Sequence, residues 1–165
     1  MHTEVTGFRV EEVLDIAHEI EQHEAEFYRK AACETKDQRI SQLLLDLAMM
    51  EDAHQHTFDD MKHGLLRKEW IPAFDLGGLS VTYLRAIAAG RIFDAKANLA
   101  DSLTGSDSAE SILRTAIAFE KDALIFYQEL RQIVPERMGK SRIEKIVGEE
   151  IRHIAELNSG LANLK

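Results

Sequence analysis

Cysteine is nearly absent from this chain of 165 residues, where Cys33 stands alone. A disulfide framework is thereby excluded, and with no CxxC pair there is no thiolate site for zinc or for the iron of a rubredoxin-type module. The expected place for a lone thiol of this kind is the apolar interior. Proline is almost as scarce, with 2 residues, and only 9 glycines interrupt the chain, so helix breakers are few. Nowhere do roughly 18 apolar residues run together, and the N-terminal MHTEVTGFRVEEV has neither a basic n-region nor an apolar h-region. Neither a membrane span nor a secretory leader is expected, and the cytoplasm is the default location. Basic clusters are missing too, and a formal charge of -9 is the opposite of the electrostatic footprint of a nucleic-acid binder. What is present is 45% hydrophobic and 30% charged residues, which suits one soluble, helix-rich domain over residues 1–165.

Apolar residues recur at helical spacing in four places. Val10, Val13, Leu14, Ala17, Ile20, Phe27, Tyr28 and Ala31 would line a first helix over 8–34. Asp37 reads as the N-cap of a second over 38–62, whose stripe is Ile40, Leu44, Leu47, Glu51, His54, Phe58 and Met61, with Gly64 as its stop. A third opens after GSDSAE, where Asp107 and Glu110 have capping-box spacing, and carries Leu113, Ala116, Glu120, Ala123, Tyr127 and Leu130 until Pro135. A fourth opens at Ser141, with Glu144 three residues on, and carries Ile143, Ile146, Val147, Glu150, His153, Ile154 and Leu157. Short turns join helix 1 to 2 and helix 3 to 4, so each pair should be an antiparallel hairpin. The second helix would be about 38 Å long at 1.5 Å per residue, and the connection over 64–106 is long enough to run back along it. That predicts an all-α four-helix bundle with one long helix 2 to helix 3 crossover, helix 3 running parallel to helix 2. Within the crossover, LSVTYLRAIAAGRIF predicts a short extra helix over 79–90.

Glutamate followed three residues later by histidine is a weak signal alone, since 18 Glu and 7 His would give about 0.8 such pairs by chance. Here there are two, Glu51 with His54 and Glu150 with His153, and the offset between them, 150 minus 51, is 99. The same offset maps Leu14 onto Leu113, Ala17 onto Ala116, Glu21 onto Glu120, Phe27 onto Phe126 and Tyr28 onto Tyr127. Residues 8–63 and 107–162 therefore read as two copies of one hairpin, each with a glutamate on its first helix and ExxH on its second. Residues i and i+3 share a helix face, so each ExxH offers a carboxylate and an imidazole to one point. Six such groups facing a bundle core cost several kcal/mol each unless paired or coordinated. No Lys or Arg stands on the stripes beside them. Four glutamates and two histidines on four facing helices are the donor set of di-metal carboxylate bundles, and hard oxygen ligands with a few imidazoles suit iron or manganese.

At EIEQHEAEFY, EDAH, YLRAIAAGRIF, AIAFEKDALIFY and EEIRH the chain resembles the rubrerythrins of the ferritin-like superfamily, in particular those without a C-terminal rubredoxin domain, and the resemblance covers nearly the whole chain. It implies a ferritin-like bundle holding two iron ions in an oxo-bridged type of centre, with manganese or zinc as substitutes. It further implies that Glu51 and Glu150 bridge the metals, that Glu21 and Glu120 are terminal carboxylates, and that His54 and His153 bind one metal each. Tyr28 and Tyr127 would hydrogen-bond those carboxylates. The chain departs from rubrerythrins in two ways. The additional glutamate they carry three residues after the third-helix ligand is Ala123 here, while the equivalent position on helix 1 is Glu24, a candidate seventh, redox-dependent ligand set against the reading of an edge glutamate. The rubredoxin module is missing, so electrons would come from an external donor, rubredoxin-like or other.

His18, His23, His56 and His63 fall off the stripes and are expected in solvent, with HQHTFDDMKH a polar helix face, not a metal route. Phe27, Phe126 and Trp70 are expected to pack, and Met49, Met50 and Met61 to fill the core. The leading functional expectation is a non-haem di-iron oxidoreductase reducing hydrogen peroxide, or dioxygen more slowly, and the alternatives are ferroxidase-type iron handling and storage, or a non-catalytic metal-binding sensor or structural bundle. Neither nucleic acid nor membrane is an expected partner. The apolar YLRAIAAGRIF needs cover, which a homodimer would supply.

Overall fold

Asp37, in extended backbone, accepts hydrogen bonds from the amides of Arg39 and Ile40 and so starts a 26-residue helix at the point the sequence marks. The computed structural model describes residues 7–64, 70–72, 83–84, 86–87 and 98–164. Its long elements are α1 (Val10–Glu34), α2 (Gln38–His63), α3 (Ala109–Ile133) and α4 (Lys140–Ala162), with 3₁₀ turns at Leu99–Ser102 and Glu136–Met138. The bundle is all-α as expected, apart from one short antiparallel pair, β1 (Gly7–Arg9) with β2 (Trp70–Pro72), in register Gly7 to Pro72 and Arg9 to Trp70. Helix 1 starts at Val10 and not at 8, because residues 8 and 9 are taken up by this pair, whose two strands are three residues each and lie 63 positions apart (70 minus 7), too short and too distant to show in the sequence pattern. Both ends of α1 and α3 are separated by 99 residues (10 to 109 and 34 to 133), the same offset as the repeat.

Two helix starts differ from the capping pattern. Ser108, not Asp107, caps α3 by accepting from the Ser111 amide, while Asp107 is turned back onto the amide and hydroxyl of Thr104. Helix α4 begins at Lys140 behind Gly139, which has φ 103° and no side chain to cap with, one residue earlier than the Ser141 expectation. Three acceptors in a row, Ser106, Asp107 and Ser108, compete for the first role, and the winner is set by where the loop leads the backbone in.

The core forms two apolar layers. One joins Val13, Leu14 and Ile20 of α1, Phe58 and Met61 of α2, Phe126, Tyr127 and Leu130 of α3, and Ile143, Ile146 and Val147 of α4. The other joins Phe27, Tyr28 and Ala31 of α1, Ile40, Leu44 and Leu47 of α2, Ile112, Leu113 and Ala116 of α3, and Leu157 of α4. The start of α1 thus meets the ends of α2 and α3 and the start of α4, so α2 and α3 run the same way, as the crossover demands.

Of the crossover helix over 79–90, Tyr83, Leu84, Ala86 and Ile87 are helical and the rest lies outside the described residues, as does the Trp70 side chain. Leu84 and Ile87 are buried in the first layer, so at these two positions the crossover is covered by its own chain and offers no face to a partner. Two expectations fail at the surface: Cys33 is exposed and Met49 is 63% exposed. Each sits one position past a buried residue, Ala32 and Ala48, and helical rotation of 100° per residue carries it off the stripe.

Candidate metal centre

Between the two apolar layers lies a polar belt. Glu21 and Glu24 on α1, Glu51 and His54 on α2, Glu120 on α3, and Glu150 and His153 on α4 are the buried polar side chains among the described residues, none more than 3% exposed. The i,i+3 spacing on α2 and α4 delivers a carboxylate and an imidazole to the same level from each helix.

Donor atoms converge in two groups, Glu21, Glu51, His54 and Glu150 in one and Glu51, Glu120, Glu150 and His153 in the other, with one atom per residue within 4.8 Å of the rest. Glu51 and Glu150 belong to both. Nδ1 of His54 lies 2.9 Å from Glu51, 3.1 Å from Glu21 and 3.1 Å from Glu150. Nδ1 of His153 lies 3.0 Å from Glu51 and 3.5 Å from Glu120. The two imidazole rings stack at 5.7 Å with 20° between their planes. Tyr28 of α1 donates its hydroxyl to Glu120 of α3, and Tyr127 of α3 donates to Glu21 of α1, a reciprocal exchange between the repeat's two halves.

The electrostatics of this belt are unbalanced. Burial and then the charges of Glu120 and Glu21 push the Glu51 carboxyl well above the usual range, and burial with Glu120 and Glu51 does the same to Glu150. Glu24 is raised by burial and then chiefly by Glu120. Glu120 is held below its ordinary value because, against the cost of burial, its contacts with His153, Glu150 and Tyr28 favour the charged form. Burial opposes protonation of His54 and His153, yet Glu21 for the first and Glu120 for the second overcome it and raise both. Burial followed by their carboxylate partners keeps Tyr28 and Tyr127 protonated. Five carboxylates face at most two imidazolium charges, with no buried Lys or Arg among the described residues.

Both oxygens of Glu51 and Glu150, Oε2 of Glu120, Oε2 of Glu24 and both ring nitrogens of His153 are buried without a directed hydrogen bond from the described residues. His54 Nδ1 is hydrogen-bonded with Oε2 of Glu21 at 3.1 Å, but around His153, Glu51 and Glu150 the short N to O distances lack hydrogen-bond direction, so lone pairs are aimed at shared points. Two divalent cations would engage oxygens of Glu51, Glu150 and Glu120 and one ring nitrogen of His153 and offset the excess negative charge, so the donor set fits a di-metal centre of the hard, oxygen-rich kind.

All six sequence-predicted ligand positions are brought together. Glu24 is 2% exposed rather than at an edge, but contributes no atom to either group. His18, His23, His56 and His63 stand apart from both, His18 beside Asp59 at 3.5 Å. Glu149, which carries no mark in the helical stripes, also meets the site. Its Oε2 lies 2.8 Å from Nε2 of His54, on the side of the ring away from the belt. The available signal was a break in the repeat, because 99 residues before Glu149 stands Met50. His54 and Glu149 also line a surface cavity of about 320 Å³ together with Thr57, Asp60, Arg142 and Lys145.

No helix among the described residues is long and apolar enough to cross a membrane. None of the curated proteins matches the chain in sequence. Among solved structures it is similar to a protein of Thermotoga maritima assigned provisionally as a ferritin-like diiron-carboxylate protein, at 20% identity and a TM-score of 0.65, over 96% of this chain and 98% of that one. Residues 10–163 match the family described as ferritin-like domain. From α1 to α4, then, the chain belongs to the ferritin-like domain family.

Proposed function

We propose that this chain is a non-haem di-iron oxidoreductase of the rubrerythrin-like kind, reducing hydrogen peroxide, and dioxygen more slowly, with electrons from an external donor. The observation that carries the reading is the pair of four-residue donor groups sharing Glu51 and Glu150, buried and short of hydrogen bonds. Glu21, Glu51, His54, Glu120, Glu150 and His153 would hold two irons, with manganese or zinc as substitutes. Two adjacent irons supply two electrons together, so that hydrogen peroxide takes two electrons and two protons and leaves as two waters.

The chain's own contribution is a fixed, dry cradle. Tyr28 and Tyr127 pin the Glu120 and Glu21 carboxylates by hydrogen bonds, which limits how far each can swing. Phe58 stacks on Tyr127 at 5.4 Å, and Phe27 packs edge-on to Tyr28 at 5.7 Å, so an apolar layer shields each tyrosine. The surface cavity that reaches His54 is where a molecule as small as peroxide would approach the belt. The same cavity, with Asp60 and Glu149 in its wall, supports the second reading of ferroxidase-type iron handling, in which Fe(II) is the substrate and passes that way.

The test is anaerobic loading with Fe(II), then stopped-flow mixing with hydrogen peroxide or oxygen while absorbance and bound iron are followed. About two irons per chain that stay bound, and are oxidised much faster by peroxide than by oxygen, uphold the peroxidase reading. Faster oxidation by oxygen with loss of iron from the site replaces it with iron handling. Native protein carrying zinc or manganese that never turns over makes it a sensor or structural bundle.

A further inference from the structure

We propose that Glu149 is a positioning residue that makes the two halves of the centre unequal, fixing the His54 ring while leaving His153 to packing alone. The proposal rests on the reading of the site as a two-metal centre. A neutral imidazole has one N–H and one lone pair, and which nitrogen carries which is set by the partners around the ring. Glu149, an acceptor only, lies 2.8 Å from Nε2 of His54 and takes the N–H there. Arg152, 3.6 Å away, engages the other carboxylate oxygen, so Oε2 is left for the ring. Nδ1 of His54 faces Glu21, Glu51 and Glu150 within 3.1 Å and is itself hydrogen-bonded with Oε2 of Glu21 in the metal-free protein; with Nε2–H held by Glu149, it is Nδ1 that would give up its proton and turn its lone pair to a metal there.

Among the described residues His153 has no such partner. In the repeat the position matching Glu149 is Met50, whose thioether accepts hydrogen bonds poorly. Nε2 of His153 is buried without a hydrogen bond among the described residues, and the ring is held by its stack on His54. Two half-sites built from equivalent ligands therefore differ in the group behind the imidazole, and the His54 half is the preorganised one. Glu149 itself is 17% exposed at the cavity wall, where its truncation leaves both apolar layers intact.

The experiment is a Co(II) titration of the full chain by calorimetry and visible absorption, comparing wild type with Glu149→Ala, Glu149→Gln and, as a surface control, Glu144→Gln. Two binding steps are expected in the wild type. Glu149→Ala should weaken one of them about 10–100-fold and leave the other within about threefold, and Glu149→Gln, whose amide oxygen still accepts, should fall between. Nitrogen NMR of the Zn(II)-loaded protein should show His54 with its proton on Nε2 in every variant, and the Nε2–H signal should shift and exchange faster with solvent in Glu149→Ala, where its acceptor is lost. Two unchanged steps, or two steps weakened alike, in Glu149→Ala would overturn the proposal although the site holds metal. Absence of cobalt binding by the wild type would overturn the two-metal reading itself.

Discussion

Glu51 and Glu150 stand in both donor groups, whereas Glu21 and Glu120 stand in one each, so removing them should have unequal effects. Glu51→Ala is expected to abolish stable binding of both ions, and Glu21→Ala to leave about one per chain, as read by elemental analysis after gel filtration. Two variants with the same residual metal content would contradict the shared-ligand geometry. Tyr127→Phe removes a hydroxyl donor to a buried carboxylate and should cost about 1.5–3 kcal/mol of stability in denaturant titration. The six residues that converge in the belt were legible in the sequence because a charged residue on an apolar stripe has few explanations, and a repeat of it at a fixed offset has fewer. Glu149 was not legible, since its partner His54 lies 95 residues away (149 minus 54) and its own position is off the stripe. The exposure of Met49 and Cys33 turns on one position of helical rotation, which a periodic pattern does not resolve for single residues.

At the scale of elements, the helices are marked by their apolar period while their first residues are decided by loop geometry. Ser108→Ala should therefore destabilise by about 0.5–2 kcal/mol, and Asp107→Ala by less, because Asp107 serves the loop at Thr104 and not the helix. Thermal melts that rank the two variants the other way would return the cap to Asp107. Gly139 holds φ 103° between the 3₁₀ turn and α4, and a Cβ there would stand 2.9 Å from the end of the Met61 side chain. Gly139→Ala should cost about 1–2 kcal/mol, chiefly through the left-handed backbone, since the methionine tip can move aside. The β1–β2 pair had no sequence signal because strands of three residues show no period.

For the whole molecule, the polar belt couples stability to pH through its metal state. In metal-free protein Glu24, Glu51 and Glu150 are raised above 4.5, and His54 and His153 above 6.5, while Glu120 alone of the shifted belt groups is lowered. A group raised in the folded state contributes stability that is present below its unfolded pKa and lost as pH rises toward its folded one. The chelated protein is therefore expected to lose stability from about pH 4.5 upward through 6.5 and beyond, which melts at pH 5 and pH 8 in chelator would measure. Metal binding displaces those protons, so the extra stability of the loaded protein should grow with pH over the same range. Curves for chelated and loaded protein that run parallel would show that the belt is not where metal binds.

The order of four helices, the two hairpins, the long crossover and the belt of glutamate and histidine were all determined by sequence alone, since hydrophobic period and repeat offset are properties of the chain itself. Only the tertiary structure decided which nitrogen of His54 faces the belt, that Tyr28 and Tyr127 exchange partners across the repeat, and that Glu24 is buried without joining either donor group. Those choices depend on distances between helices far apart in the chain, and a directed hydrogen bond exists only when packing brings donor and acceptor within about 3 Å.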